Sequence, residues 1–191
     1  MSMNIGFYTE ILATVFGLTQ GILIMQNKRS NWIFYILQIA MLIVFSAINH
    51  LYGDMTNNLI YLGMGIYGAI LWGHGSSERP ITKCTHLERI GYTLAIILGT
   101  LLVGTILRYT NDPLPMLDAF STTSSFIATW YMVRRKLDAW IIWTINDLIY
   151  VVEYSLLPDA AYWLIGLNAI WTVMAILSYR NWKKIMIGGK K

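Results

Sequence analysis

Trp143 and Asp147 stand four residues apart inside a mostly apolar stretch, Trp140–Leu157. In a helix that spacing puts an indole and a carboxylate on one face, a turn apart. A carboxylate in the middle of such a stretch needs a cation beside it or a proton on it, and the face of an indole attracts a cation. The chemistry this pair suits is recognition of a flat, positively charged ring rather than the making or breaking of a bond. Asn146, Tyr150, Glu153 and Tyr154 recur at three- and four-residue spacing along the same face. No Lys or Arg lies inside an apolar stretch, and Arg108 stands at the outer end of one. A ligand cation is therefore one candidate partner for Asp147, and a protonated or hydrogen-bonded structural carboxylate is the other. Glu153, nearer the end of its stretch, reads as solvated.

Further polar groups lie at similar depth. Asn58, Tyr61, Gly65, Gly68 and Trp72 form one stripe, in which the glycines suit close helix packing and Asn58 and Tyr61 could line a cavity. Asn168 and Trp171 are three residues apart, with Ser178 further on; Gln20 and Gln38 are isolated. Ser121, Thr122, Thr123, Ser124, Ser125 and Thr129 crowd into one stretch beside Trp130. Each hydroxyl can return its hydrogen bond to a carbonyl one turn back, but six together also suit a ligand. Trp130, Trp143 and Trp171 lie deep enough to stack on a ring, whereas Trp32, Trp72, Trp140, Trp163 and Trp182, near the ends of apolar stretches, fit an aromatic belt at the membrane surface.

Catalytic and metal chemistry find no footing. His50, His74 and His86 fall in connections and make no ligand spacing. The lone Cys84 allows no internal disulfide and no multi-cysteine metal site. No nucleophile elbow or phosphate loop is present, so no cofactor is expected.

The elements that must position these groups follow from composition. Of 191 residues 56% are hydrophobic and only 13% charged, against roughly 45–50% and about 25% in soluble domains, and mean hydropathy is +0.52. Lipid is the solvent such a chain fits. Seven stretches approach the roughly 17–25 residues that a membrane-crossing helix needs: Phe7–Met25, Trp32–Asn49, Met55–Trp72, Ile90–Leu107, Leu117–Val133, Trp140–Leu157 and Ala161–Tyr179. The first carries no positive flank and is too long for a signal peptide, so it reads as a retained span. Short connections with breakers separate them: Gln26–Asn31, Tyr52-Gly53-Asp54, Gly73–Arg89, Asn111-Asp112-Pro113, Arg134–Ala139 and Pro158-Asp159.

The fifth stretch, with Asp118 and its hydroxyls, is polar, and the charge distribution decides in its favour. With seven spans, Lys28 and Arg29, then Arg79, Lys83 and Arg89, then Arg134, Arg135 and Lys136, then Arg180, Lys183, Lys184, Lys190 and Lys191 all fall on one side, thirteen of the fourteen basic residues. Without the fifth span the split is nine to five. Positive residues mark the cytoplasmic side, which predicts an outside N-terminus and a cytoplasmic C-terminus. The net charge of +4 then reads as a topology signal and not as a nucleic-acid surface.

A repeat is also visible. Trp32-Ile33-Phe34-Tyr35 and Trp140-Ile141-Ile142-Trp143 each open the second span of a group of three, Gln38 and Asn146 follow six residues after the leading Trp, and Gly53-Asp54 and Pro158-Asp159 follow the spans. The chain is predicted to be a single all-α membrane domain, residues 1–191, of 3+1+3 architecture. Its parts are a first three-helix repeat over 7–72, a linker helix over 90–107, a second repeat over 117–179 and a basic cytoplasmic tail over 180–191. An odd linker helix makes the copies parallel, an arrangement found in transporters with the site at the repeat interface.

Leu51-Tyr52-Gly53-Asp54-Met55, Asp118-Ala119-Phe120-Ser121-Thr122, Trp130–Arg135 running into Trp140-Ile141-Ile142-Trp143, and Ser178-Tyr179-Arg180-Asn181-Trp182-Lys183-Lys184 resemble the PnuC family of nicotinamide riboside transporters. The most specific parts are Trp140-x-x-Trp143-x-x-x-Asp147 and the terminal Tyr-Arg-x-Trp-Lys-Lys. The resemblance implies a SWEET-like fold, a homotrimer in the cell membrane surrounded by lipid, and facilitated diffusion with cytoplasmic trapping by phosphorylation. Family members often carry Gln where this chain has Thr129. Trp143, Asp147, Asn146, Gln38, Asn58, Tyr61, Trp130, Thr129, Asn168 and Trp171 are the candidate substrate contacts. Thiamine and riboflavin, carried by relatives, are alternative substrates. A small membrane enzyme and a structural membrane subunit are the alternatives of other classes.

Overall fold

The computed structural model describes residues 2–73, 80–157 and 162–188. The Pro158-Asp159 turn, Ala161, His74, Arg79 and the terminal Lys190-Lys191 lie outside them. Seven helices follow in order: α1 (Ser2–Met25), α2 (Asn31–Ile48), α3 (Tyr52–Gly73), α4 (His86–Leu107), α5 (Pro115–Val133), α6 (Ala139–Leu156) and α7 (Tyr162–Gly188). By length and apolarity alone α1, α2, α4 and α7 can cross a membrane. α3, α5 and α6 have 22, 19 and 18 residues, enough to reach across most of an apolar layer at 1.5 Å per residue, but they carry polar groups that lower their hydropathy.

Several boundaries differ from expectation. α1 begins at Ser2 and α4 at His86, so His86 and Arg89 are helical and not part of a connection. Tyr52-Gly53-Asp54 belongs to the first turn of α3; the break comes earlier, after α2 ends at Ile48, where His50 adopts φ 57° and allows Leu51 N–H to reach back to the Ser46 carbonyl at 2.8 Å. α7 runs past Tyr179 to Gly188, so Arg180, Lys183 and Lys184 are helical.

The described residues form two compact units, one ending at Arg79 and one beginning at Pro80. In the first, α2 packs against both α1 and α3. In the second, α4, α5, α6 and α7 pack in sequence, each on the next. The same inner construction occurs in both. At the corner from α1 to α2, Asn27 takes φ 57°, and at the corner from α5 to α6, Arg135 takes φ 56°. Each left-handed residue closes a Schellman cap, in which the last carbonyls of the helix receive N–H groups from just beyond its end. Lys28 N–H reaches the Leu23 carbonyl and Asn27 N–H that of Ile24; Lys136 N–H reaches Tyr131 and Arg135 N–H reaches Met132. Five residues after each left-handed position comes a buried Trp, 0% exposed at Trp32 and 5% at Trp140.

Each of these tryptophans meets another edge-on. Trp32 and Trp72 have ring centroids 5.6 Å apart at 81°, and Trp140 and Trp182 are 5.2 Å apart at 84°. Such T-shaped pairs contribute roughly 0.5–1.5 kcal/mol beyond their buried area. In both pairs the indole N–H of the α2 or α6 member has no hydrogen-bond partner among the described residues. All four rings are inside their units and not at the lipid surface, which corrects the aromatic-belt reading for them. Trp163, 74% exposed, remains at the surface.

Close approach of the helices depends on small residues. A Cβ on Gly68 would stand 2.7 Å from three carbons of the Trp32 ring, and one on Gly65 would stand 2.6 Å from Tyr35. At the matching positions of the second unit, 110 residues on, Ala175 and Ser178 are also buried.

The segment before α4 is tied into the second unit, where Cys84 is buried. Burial, with the neighbouring Asp138 carboxylate adding to it, pushes its thiol up to about 12. The thiol stays protonated from pH 6 to 9, and the thiolate is the reactive form. Maleimide labelling of the folded protein should therefore run at least about a hundredfold slower than that of an exposed cysteine. It should keep rising with pH beyond 9. A labelling rate that levels off below pH 9 would contradict this placement.

Candidate functional site

The α5–α6 interface explains the hydroxyl run. Asn146 is 0% exposed. Its Oδ1 accepts from the Ser124 hydroxyl at 2.7 Å and its Nδ2 donates to the Ser125 oxygen at 3.0 Å. Ser125 donates to the Ser121 carbonyl, and Ser124 also approaches the Phe120 carbonyl at 2.7 Å. Asn146 thus spends its polar atoms on α5. Thr122 approaches Asp118 Oδ1 at 3.2 Å, and Ser121 lies 3.4 Å from Glu153 Oε2. The hydroxyls form a polar seam between two helices, and Thr129 is buried in it at 1% exposure.

Asp147 stands apart from this seam. It is 6% exposed, and among the described residues its carboxylate receives no hydrogen bond and forms no ion pair. Trp143, one turn earlier on α6, is half-buried. Elsewhere in the second unit, Asn168 bonds its own helix at the Leu164 carbonyl, 2.8 Å away, and Trp171 is half-buried. Trp130 is 39% exposed, with the Arg134 guanidinium 5.8 Å from its ring centroid. In the first unit, Gln38 packs against Gly17, where a Cβ would come within 2.7 Å of its amide. Asn58 and Tyr61 are half-buried on α3.

These candidates form matched positions in the two units. Gln38 and Asn146 are 108 residues apart, as are Gly17 and Ser125, their partners across the helix pair. Asn58 and Asn168 are 110 apart, as are Tyr61 and Trp171. The constant spacing on α3 and α7 was present in the sequence as a signal, and only the shared Trp–Trp geometry makes its meaning plain. The differences are as informative. Asp147 matches Ile39, buried at 5%, and Ser121 matches Ala13. Charge and hydroxyls are concentrated in the second unit.

A model of the nicotinamide mononucleotide transporter family matches residues 7–184. The chain belongs to this family. Membership makes it a multi-pass membrane transporter, consistent with its apolar helices. Among relatives of this transporter family, the nicotinamide riboside transporter PnuC of Neisseria mucosa is 20% identical over 188 residues, covering 92% of this chain and 72% of its own. A crystal structure of the vitamin B3 transporter PnuC matches with a TM-score of 0.73 at 20% identity, covering 94% of this chain and 82% of that one. The likeness takes in nearly all of this chain and concerns its fold.

Proposed function

We propose that the chain carries nicotinamide riboside across the cell membrane by facilitated diffusion, with the pyridinium charge offset by Asp147 and the ring stacked on Trp143. The observation that carries this reading is the buried Asp147 carboxylate with no partner among the described residues. A group of that kind at membrane depth marks a substrate path by default. The same feature favours the riboside over its mononucleotide, whose phosphate would bring negative charge toward a carboxylate on α6, a helix that holds no Lys or Arg. The trimeric state and an outside N-terminus, with the basic end of α7 in the cytoplasm, belong to this reading. Trapping by phosphorylation inside the cell would then supply the direction of net uptake.

Reconstitution in liposomes tests it. Labelled nicotinamide riboside should enter until inside and outside concentrations match, and unlabelled riboside should compete better than the mononucleotide, thiamine or riboflavin. Trp143→Ala should weaken binding about tenfold, since a cation–π contact contributes roughly 0.5–2 kcal/mol and 1.4 kcal/mol is a decade. Accumulation above the outside concentration under an imposed pH gradient would refute the uniport. Stronger competition by thiamine would reassign the substrate.

A further inference from the structure

The two helix corners match position for position, and the second is fastened to the start of α4. Ser30, in the first corner, makes no side-chain capping bond. Its counterpart 108 residues on is Asp138, which is 2% exposed and has one oxygen engaged by the segment leading into α4 and the other by the first turn of α4 itself. Oδ2 accepts the Cys84 backbone N–H at 2.8 Å. Oδ1 accepts Arg89 Nε at 2.8 Å in an ion pair. Beside it the backbone is joined directly: Thr82 N–H donates to the Arg135 carbonyl at 3.2 Å and Leu137 N–H to the Thr82 carbonyl at 2.8 Å, a parallel bridge centred on Thr82 and Lys136. Lys136 pairs with Glu88 at 2.9 Å, and Glu88 also closes a capping box with Thr85 at the start of α4. The beginning of α4 is thereby clasped onto the left-handed corner that launches α6.

The second corner has a physical reason to need this. Where α2 buries Ile39, α6 carries Asp147, and a carboxylate gives none of the apolar packing that would hold the helix in place. α6 begins at Ala139, directly after Asp138, so the clasp sets the position of the rigid helix that bears Trp143 and Asp147. We propose that Asp138 and Arg89 are positioning residues for transport, keeping the start of α6 fixed to α4 throughout the transport cycle. This rests on the site reading above for its substrate and on the clasp geometry for the rest.

The test uses full-length protein in which Cys84 is replaced by Ser, a change that keeps the backbone N–H bonded to Asp138. Arg89→Ala in this background should raise the Kd for nicotinamide riboside at least about fivefold while leaving the maximal uptake rate per folded transporter within about twofold. Thr82→Cys with Lys136→Cys then supplies a covalent substitute. Bridge partners stand about 5 Å apart, within the roughly 4.4–6.8 Å a disulfide spans between Cα atoms. Oxidation should restore affinity in the Arg89→Ala protein and reduction should remove it again. With Arg89 intact, the oxidised protein should transport as fast as the reduced one. Unchanged affinity in Arg89→Ala, or a disulfide that fails to restore it, overturns the positioning role; a disulfide that halts uptake until reduced shows that the clasp must open. Hydrogen exchange over residues 139–146 gives a readout without substrate: it should speed up in Arg89→Ala and slow again on oxidation. If the background protein binds no nicotinamide riboside, the substrate reading fails, and unchanged exchange would still overturn the clasp by itself. Arg89→Gln serves in the same way should the alanine variant not survive purification.

Discussion

Asp147→Asn should weaken the binding of nicotinamide riboside by about ten- to a hundredfold, or about 1.4–2.8 kcal/mol, while the uncharged reduced riboside loses less than about threefold. The substitution keeps the volume and a hydrogen-bonding end, and removes the charge. The range follows from the roughly 1.5–3 kcal/mol of a hydrogen bond to a charged group in a site from which water is largely excluded. The carboxylate has no competing partner among the described residues, so in the proposed site its loss should fall on the ligand rather than on the fold. Calorimetry on purified protein, with the cationic and reduced ligands side by side, decides the matter. Equal losses for both ligands would take Asp147 out of the site, and a lowered melting temperature with unchanged affinities would make it a structural carboxylate.

Gly68→Val should be the most damaging single change in the first unit. Its Cβ would stand 2.7 Å from Trp32 ring carbons, and that ring is held on its other sides by Trp72 at 5.6 Å and Tyr35 at 5.5 Å between centroids. A fully buried indole so enclosed has nowhere to swing. Overpacking costs about 1–3 kcal/mol, which in a chain of this size is a fall of roughly 2–12 °C in Tm and a matching loss of the monodisperse fraction in detergent. Gly63 is the control, because nothing lies within 4 Å of a Cβ built there. Equal losses from Gly63→Val and Gly68→Val would mean that helix propensity and not the Trp32 contact is responsible.

Much of the fold was legible because its signals are physical and local. Thirteen of fourteen basic residues on one side recovered α5, a helix whose own hydropathy argues against it, and Trp32 and Trp140 marked the start of matching helices. The inner face of α5 was not legible. Six hydroxyls in one stretch announce a polar seam, but a serine that clamps Asn146 and a serine that returns its bond to its own helix look alike until the neighbouring helix is in place. The end-of-span tryptophans misled for a related reason. A Trp at that depth has the same sequence context whether it faces lipid or a partner ring, and what distinguishes Trp72 and Trp182 is Trp32 and Trp140, forty residues or so away. Asp138 left no trace either, since an acid in a basic loop reads as a solvated charge and its partners, Cys84 before α4 and Arg89 in its first turn, lie some fifty residues earlier in the chain.

The two buried tryptophan pairs also determine what the protein would report in fluorescence. Four of its eight indoles are locked edge-to-face inside the helical units, where an arriving ligand does not reach them, and they supply a constant emission background. Trp163 faces outward at 74% exposure and senses its lipid surroundings. Any quenching or spectral shift on adding a flat cation should then originate from Trp130, Trp143 and Trp171, which would make these three indoles an intrinsic probe of the proposed site.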